Sequence, residues 1–262
     1  MSPSESGGRS RLAALAPLAS RVCPWVADDP VPDVDRPEDG EPVRAMPLIL
    51  RIERDEPPAA TALLEAAAAA ALVLCLDERA APEGEWFDAV AAWAGAGRIR
   101  KLARRARTSH WRAVQDVPGV TVSELVRALV PGPVDEVPHE VRRLQIGGTD
   151  LPDEPSGPVP ADGPVIWLNP HVEQSTGKAA AQVGHASMIL ATVVAWTGGD
   201  PDDVTAPVVR KASREDWDTW SAALDDPQGT WERHGVAAVR DAGFTEVAPG
   251  TVTCLGQVRP RG

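Results

Sequence analysis

The sequence predicts an α/β protein made of two tandem small units, each a mixed β-sheet of about four strands flanked by helices. One reason is that short apolar segments with strand character alternate with segments of helix length along most of the chain. The other is that four short stretches occur twice in the same order. Because paired units usually bury a shared surface, we expect the two to pack as an intrachain pseudo-dimer.

The repeat begins with a strand and a helix and continues with a basic strand and a Pro-Gly turn. The matching segments are 48–52 with 165–168, 62–76 with 177–196, 104–111 with 210–217, and 130–134 with 248–252. Each unit is therefore predicted to run strand, helix, strand, helix, short strand, turn and strand. The alternative is that Pro-Gly turns and Arg-rich strands recur by chance.

These matches divide the chain into four parts. Residues 1–45 are rich in Pro, Asp and Glu, which predicts a disordered acidic tail. Residues 46–149 and 163–262 are the two units, and the polar, Pro-rich residues 150–162 have the composition of a linker.

Composition narrows the class of protein. The chain has 262 residues, 43% of them hydrophobic, which is enough for one large or two small domains with a core. No apolar run is expected to reach the roughly 18 to 20 uncharged residues that cross a bilayer, so no membrane association is predicted. Cys23, Cys75 and Cys254 form no Cys-x-x-Cys pair, so neither disulfides nor a zinc site are expected, and the cytoplasm is the expected location.

The net charge of −12 argues against broad, nonspecific binding to nucleic acids. A local basic surface would still suffice for one such contact, and a single stretch supplies it with Arg98, Arg100, Lys101, Arg104, Arg105, Arg107 and Arg112. Arg104, Arg105 and Arg107 are the candidates for binding a substrate. The alternative is the solvated face of an edge strand.

Gly177 and Lys178 lie at the start of a predicted helix. A P-loop would need a glycine where Val172 stands and Ser or Thr where Ala179 stands, so no nucleotide-binding loop is predicted. Lys178 falls in the first turn, where the helix dipole disfavours a cation by about 0.3 to 1 kcal/mol. Free N–H groups together with an ammonium form a site for a phosphate or a developing oxyanion, the alternative being a solvated surface lysine.

The rest of this helix extends the candidate site. Ser175 or Thr176 is the predicted N-cap. Gln182 and His185 follow Lys178 on the same helix face, so all three can line one cleft. The alternative for His185 is a packed, hydrogen-bonded core residue.

A second group of polar residues lies near the end of the chain. Asp241 ends a predicted strand and enters a loop that contains Thr245, and loops can present carboxylates to a cleft. The next predicted strand alternates, so Thr253 and Cys254 are expected on opposite faces. Turn capping and β-propensity are the alternative reasons for these polar residues.

Two stretches carry a resemblance to a known family. Residues 175–186 read Ser-Thr-Gly-Lys-Ala-Ala-Ala-Gln-Val-Gly-His-Ala, and residues 241–253 read Asp-Ala-Gly-Phe-Thr-Glu-Val-Ala-Pro-Gly-Thr-Val-Thr. They resemble the type 2 (archaeal/eukaryotic-type) peptidyl-tRNA hydrolases, whose pattern runs roughly Gly-Lys-x-Ala-Ala-Gln-x-x-His-Ala and later Asp-Ala-Gly-x-Thr-x-x-x-Pro-Gly-x-x-Thr. The spacing within both stretches fits this pattern without a gap.

The resemblance implies hydrolysis of the ester between a peptidyl group and tRNA, which recycles tRNA, with no metal or organic cofactor. The residues at the family's catalytic positions are Lys178, Asp241, Thr245 and Thr253, and those expected to bind substrate are Gly177, Gln182 and His185. Peptidyl-tRNA is the implied partner. Family members are commonly homodimers of one unit, so two units in one chain favour the pseudo-dimer over a homo-oligomer.

Departures from the family pattern keep other functions open. Glu173 and Thr176 stand where lysines are usual, and His171 stands where an aspartate is usual. The alternatives are a non-catalytic tRNA- or protein-binding protein, and an esterase or amidase that acts on a small acylated molecule.

The amino-terminal copy departs further from the pattern, because its helix contains neither Gly-Lys nor His. At about the positions equivalent to Asp241, Thr245 and Thr253, this unit has Ser123, Arg127 and Asp135. This unit is therefore expected to be catalytically inactive.

Overall fold

The computed structural model describes residues 3–27, 42–97, 99–155, 157–241 and 246–259, and it confirms an α/β fold with two mixed sheets. The strands are β1 (Arg44–Arg51), β2 (Arg100–Ala106), β3 (Gly119–Val122), β4 (Val126–Leu129), β5 (Gly132–Pro133), β6 (Gly163–Leu168), β7 (Val208–Lys211), β8 (Val236–Arg240) and β9 (Val252–Arg259). The helices are α1 (Pro3–Arg11), α2 (Ala16–Val22), α3 (Ala60–Leu76), α4 (Phe87–Gly95), α5 (Thr108–Ala113), α6 (His139–Arg142), α7 (Thr176–Trp196), α8 (Arg214–Ala223) and α9 (Pro227–His234). Short 3-10 helices lie at Ala13–Leu15, Glu78–Ala80, Val114–Asp116 and Pro201–Val204.

Both sheets have the same strand order and the same strand directions. The order is β2-β1-β4-β3 in the amino-terminal sheet, where β5 also pairs with β1, and β7-β6-β9-β8 in the carboxy-terminal sheet. β1 is parallel to β2 and antiparallel to β4, as β6 is to β7 and β9. Each of these strands therefore has a counterpart in the other unit. Common ancestry of the two units stays a prediction.

One of the four repeat matches from the sequence is wrong. The Pro-Gly segment 130–134 follows β4, whereas the Pro-Gly segment 248–252 precedes and enters β9. Because β4 and β9 are counterparts in the two sheets, these segments occupy different places in the fold. Similar turn residues produced the match, since Pro-Gly favours turns wherever the chain reverses.

The strand topology corrects one of the residue pairs that the sequence comparison treated as equivalent in the two units. Ser123 directly follows β3, as Asp241 directly follows β8, which agrees with the sequence comparison. The second residue of β9 is Thr253, and its counterpart in β4 is Arg127. Asp135, which the sequence comparison placed opposite Thr253, lies beyond β5.

The two units pack against each other through their long helices. α3 packs on the amino-terminal sheet, α7 packs on the carboxy-terminal sheet, and the two helices share one apolar core. Gly184 permits the close approach, because a Cβ there would lie 3.1 Å from the Cβ of Ala71. An ion pair of 2.7 Å between Arg210 and Glu65 also joins the units.

α7 corrects the expectation that no apolar segment reaches membrane-spanning length. The helix has 21 residues and contains an 18-residue window with a mean hydropathy of 1.3, so by length and composition alone it could cross a membrane. In the fold, 89% of its apolar window is buried inside the molecule. A helix that packs on all sides is apolar all round, so α7 is the central core helix of this fold.

The amino-terminal segment also differs from expectation. Residues 3–22 are largely helical, and Leu12, Leu15 and Ala19 are buried in the main core. Because these apolar side chains pack into the core, the predicted disordered tail does not extend over residues 3–27. The acid-rich residues 28–41 lie outside the described residues.

Candidate active site

α7 begins with Ser175 as its N-cap, one of the two predicted caps. The Ser175 hydroxyl accepts a hydrogen bond from the backbone N–H of Lys178 at 3.2 Å. Glu246 accepts from the Ser175 N–H at 2.8 Å and from its hydroxyl at 2.7 Å, and a carboxylate here complements the positive end of the helix dipole. Sequence reasoning missed Glu246, although it directly follows Thr245 in the second motif.

The glycine that precedes the lysine makes a close contact with the segment before β6. The Gly177 N–H donates to Thr149 Oγ1 at 3.2 Å, and a Cβ at position 177 would lie 2.6 Å from that hydroxyl. This close contact explains by packing alone why position 177 is a glycine. Its role in substrate binding stays a prediction.

Lys178, Gln182, Asp241 and Thr253 form one hydrogen-bonded network. The Lys178 ammonium pairs with Asp241 Oδ2, and Gln182 Nε2 donates to the same oxygen at 2.7 Å. Thr253 Oγ1 donates to Gln182 Oε1 at 2.7 Å, so both ends of the Gln182 amide are engaged. The sequence predicted a lysine in the first helical turn, where the helix dipole disfavours a cation. The structure pairs it, because Asp241 at the end of β8 meets the first turn of α7.

A β-bulge turns Thr253 toward α7. The pairing of β8 with β9 shifts register between Val239 and Arg240, which leaves Thr253 as an extra residue on β9. A bulge interrupts the alternation of faces, and both Thr253 and Cys254 contact Gln182, the thiol lying 3.4 Å from its backbone oxygen. The expectation that these two side chains face opposite ways is therefore wrong.

Lys101 reaches the site from the amino-terminal unit. It lies on β2 and is 7% exposed, with Nζ 3.0 Å from His185 Nδ1 and 5.1 Å from the ring centre of Trp93. Burial lowers the pKa of Lys101 to about 7. Burial, and then the charges of Lys101 and Lys178, lower the pKa of His185 well below its ordinary value. The sequence placed Lys101 on an exposed basic surface, and the structure buries it instead.

A cleft of about 900 Å³ is lined by Lys101, Lys178, Gln182, His185 and Asp241. Among the described residues, its cationic side chains outnumber its anionic ones, with Arg21, Arg100, Lys101, Lys178 and Arg240 against Asp241 and Glu246. Apolar side chains from the amino-terminal helices, α7 and α9 line much of the remainder. The cleft is therefore locally positive in a chain whose net charge is −12.

The remaining predicted site residues lie elsewhere. Thr245 lies outside the described residues. The three predicted arginines lie on β2 or directly after it and donate to backbone oxygens, Arg104 to Leu144 at 3.2 Å, Arg105 to Gly148 at 2.6 Å and Arg107 to Ile52 at 2.9 Å. None of these three arginines is among the side chains that line the cleft. Their contact with a substrate stays a prediction.

The corresponding place in the amino-terminal unit has different chemistry. β3 and β4 pair in continuous register, without a bulge. Arg127, at the position equivalent to Thr253, is 8% exposed and donates to Val117 O at 2.6 Å and to Thr121 Oγ1 at 2.8 Å. Within the described parts of the chain, no cluster of His, Cys, Asp and Glu could hold a metal ion.

Part of the chain is similar to a protein of known family. No family model matches the chain. A peptidyl-tRNA hydrolase of Methanopyrus kandleri is 38% identical over 100 residues, which cover 35% of this chain and 79% of that protein. The similarity thus extends over about a third of this chain and over most of the relative.

Proposed function

We propose that this chain, which belongs to the peptidyl-tRNA hydrolase family, hydrolyses the ester bond between an N-blocked aminoacyl or peptidyl group and the terminal ribose of tRNA. One observation carries the proposal: Lys178 and Asp241, which come from the two motifs, meet at the cleft in one network with Gln182 and Thr253. An ammonium beside a carboxylate in a partly desolvated cleft is suited to activate water and to stabilise a developing oxyanion.

In the proposed reaction, water attacks the ester carbonyl carbon and Asp241 accepts a proton from it. The carbonyl oxygen gains negative charge, which an N–H of Lys178 stabilises, since an ammonium has three donors and the pair with Asp241 uses one. The bond from the carbonyl carbon to the ribose oxygen then breaks, and Asp241 returns the proton to that oxygen. The products are the free acyl amino acid or peptide and tRNA.

Thr253 acts through another residue in this scheme. It is wholly buried and donates to Gln182 Oε1, which directs the Gln182 amino group at Asp241. Gln182 in turn fixes the orientation of the carboxylate that receives the proton. Gln182 and Thr253 are therefore positioning residues.

The charge of the cleft supports a polyanionic substrate. The chain is acidic as a whole, which disfavours nonspecific contact with RNA, but the cationic side chains that line the cleft outnumber the anionic ones. A local positive potential can bind a tRNA end and still allow its release.

The test is release of a labelled acyl group from N-acetylaminoacyl-tRNA by the purified chain. Lys178→Met should lower kcat about a hundredfold, whereas Lys211→Met, the same substitution at an exposed lysine of β7, should leave it near the wild-type value. Equal rates in both variants would remove Lys178 from the mechanism. Absence of hydrolysis by the wild-type chain would overturn the proposal itself.

A second candidate is hydrolysis of a small acylated molecule, which the net charge of −12 favours. Salt dependence separates the two candidates. Contacts with tRNA phosphates should weaken steeply as salt is added, whereas recognition of a small neutral ester should barely respond.

A further inference from the structure

Lys101 is a buried cation that the network of Lys178 and Asp241 does not use. It lies outside both family motifs, on a strand of the other unit, and it lines the cleft. No carboxylate pairs with it in the described part of the chain; its polar contact is His185 Nδ1 at 3.0 Å. A buried ammonium without a carboxylate is costly, so its presence calls for a functional reason.

The contact between Lys101 and His185 fixes the state of the imidazole ring. Burial and the nearby lysine charges keep the pKa of His185 well below its ordinary value, so the ring is neutral and carries one proton. When Lys101 is charged, its ammonium can only donate to Nδ1, and this places the ring proton on Nε2. The half-buried His185 ring lines the cleft, and in this tautomer its Nε2–H is a hydrogen-bond donor.

The position of His185 along α7 indicates which part of the substrate it meets. His185 lies about 4.5 Å further along the helix axis than Gln182, which contacts Asp241. One residue of extended chain spans about 3.3 to 3.6 Å. A substrate whose ester lies at Lys178 and Asp241 can thus place the nitrogen of its aminoacyl group, or the amide carbonyl that blocks it, beside His185.

We propose that Lys101, acting with His185, selects substrates whose α-amino nitrogen is blocked and uncharged. His185 Nε2–H donates to the carbonyl oxygen of the blocking amide. The Lys101 ammonium behind the ring repels the positive α-ammonium of an unblocked aminoacyl group. The inactive unit thereby supplies a specificity-determining residue to the active one. This inference rests on the proposed hydrolase function.

The test compares kcat/KM for N-acetylaminoacyl-tRNA and for unblocked aminoacyl-tRNA in the full chain. Lys101→Met and Lys101→Gln should each lower the preference for the blocked substrate at least tenfold, mainly through faster hydrolysis of the unblocked one, because two cations a few ångströms apart repel strongly when partly desolvated. Lys101→Gln keeps an N–H donor for His185 without the charge, so it isolates repulsion. Lys211→Met is the matched control and should keep the wild-type ratio.

The outcomes separate this inference from the proposed function. A wild-type chain that hydrolyses the blocked substrate, with an unchanged ratio in both Lys101 variants, leaves the function standing and overturns the inference. An equal fall of both rates also overturns it, since that is the effect of a purely structural role. Nitrogen NMR of His185 gives a readout independent of activity: the Nε2–H tautomer supports the inference and the Nδ1–H tautomer contradicts it. A wild-type chain inactive on both substrates overturns the function and the inference together.

Discussion

Replacement of Lys101 by Met should stabilise the protein, and the gain should depend on pH. Burial lowers the pKa of Lys101 from 10.5 to about 7. At about 1.4 kcal/mol for each pKa unit, protonation costs the folded state on the order of 4 kcal/mol at neutral pH. Met removes that cost but also loses the contact with His185, about 1 kcal/mol, and the contact with the Trp93 ring, about 1 to 2 kcal/mol. The net expectation is a gain of about 1 to 2 kcal/mol in the free energy of unfolding.

The pH dependence follows from the direction of the pKa shift. Because the folded-state pKa lies below the unfolded value, the unfolded chain binds the proton more tightly, so the cost is complete below about pH 7 and declines as pH rises toward 10.5. Urea unfolding of both proteins at about pH 6.5 and about pH 8.5 measures the difference, with Lys211→Met as the exposed control. A variant less stable than wild type at the lower pH, or a gain equal at both pH values, would refute a buried ammonium at position 101.

Three further predictions follow from the geometry. Thr253→Val should lower kcat about tenfold with little change in KM, because Gln182 loses the donor that orients its amide; an unchanged kcat would show that Gln182 needs no such support. Burial raises the pKa of three thiols to about 12, those of Cys23, Cys75 and Cys254. These thiols should therefore react slowly with an alkylating reagent in the folded protein. Because they lose their protons more readily in the unfolded chain, the free energy of unfolding should fall as pH rises from 9 toward 12. Joint replacement of Arg105 and Arg107 by Gln should raise KM for peptidyl-tRNA and flatten the salt dependence of that KM. Cleavage of a short acyl-nucleotide ester should not change. The same response with both substrates would limit these arginines to a structural role.

Much of the fold could be predicted from the sequence, because alternating strand and helix patterns are local signals. The first strand and the long helix of each unit lie where the patterns place them, and the capping residue Ser175 precedes the helix as predicted. The error in the last repeat match has a local cause as well. Pro-Gly marks a turn but does not say which strands the turn joins.

The rest of the site depends on long-range pairing that local patterns do not encode. The bulge at Thr253 is a property of how β8 pairs with β9, so simple alternation gave the wrong face for this residue. Lys101 looked like part of a solvated basic strand, and only the packing of one unit on the other buries it beside His185. Arg104, further along the same strand, reaches a backbone oxygen instead.

The central claim is that Asp241 and Lys178 together perform ester hydrolysis on peptidyl-tRNA. The most direct measurement is the single-turnover rate of acyl release from N-acetylaminoacyl-tRNA by wild type and by Asp241→Asn. Asn keeps the shape and can accept from Lys178 and Gln182 through its amide oxygen, but it cannot take a proton from water. We expect wild-type cleavage and a loss of about a hundredfold or more in the variant, with tRNA binding retained. A variant that cleaves at the wild-type rate, or a wild-type chain that binds peptidyl-tRNA without cleaving it, would contradict the account.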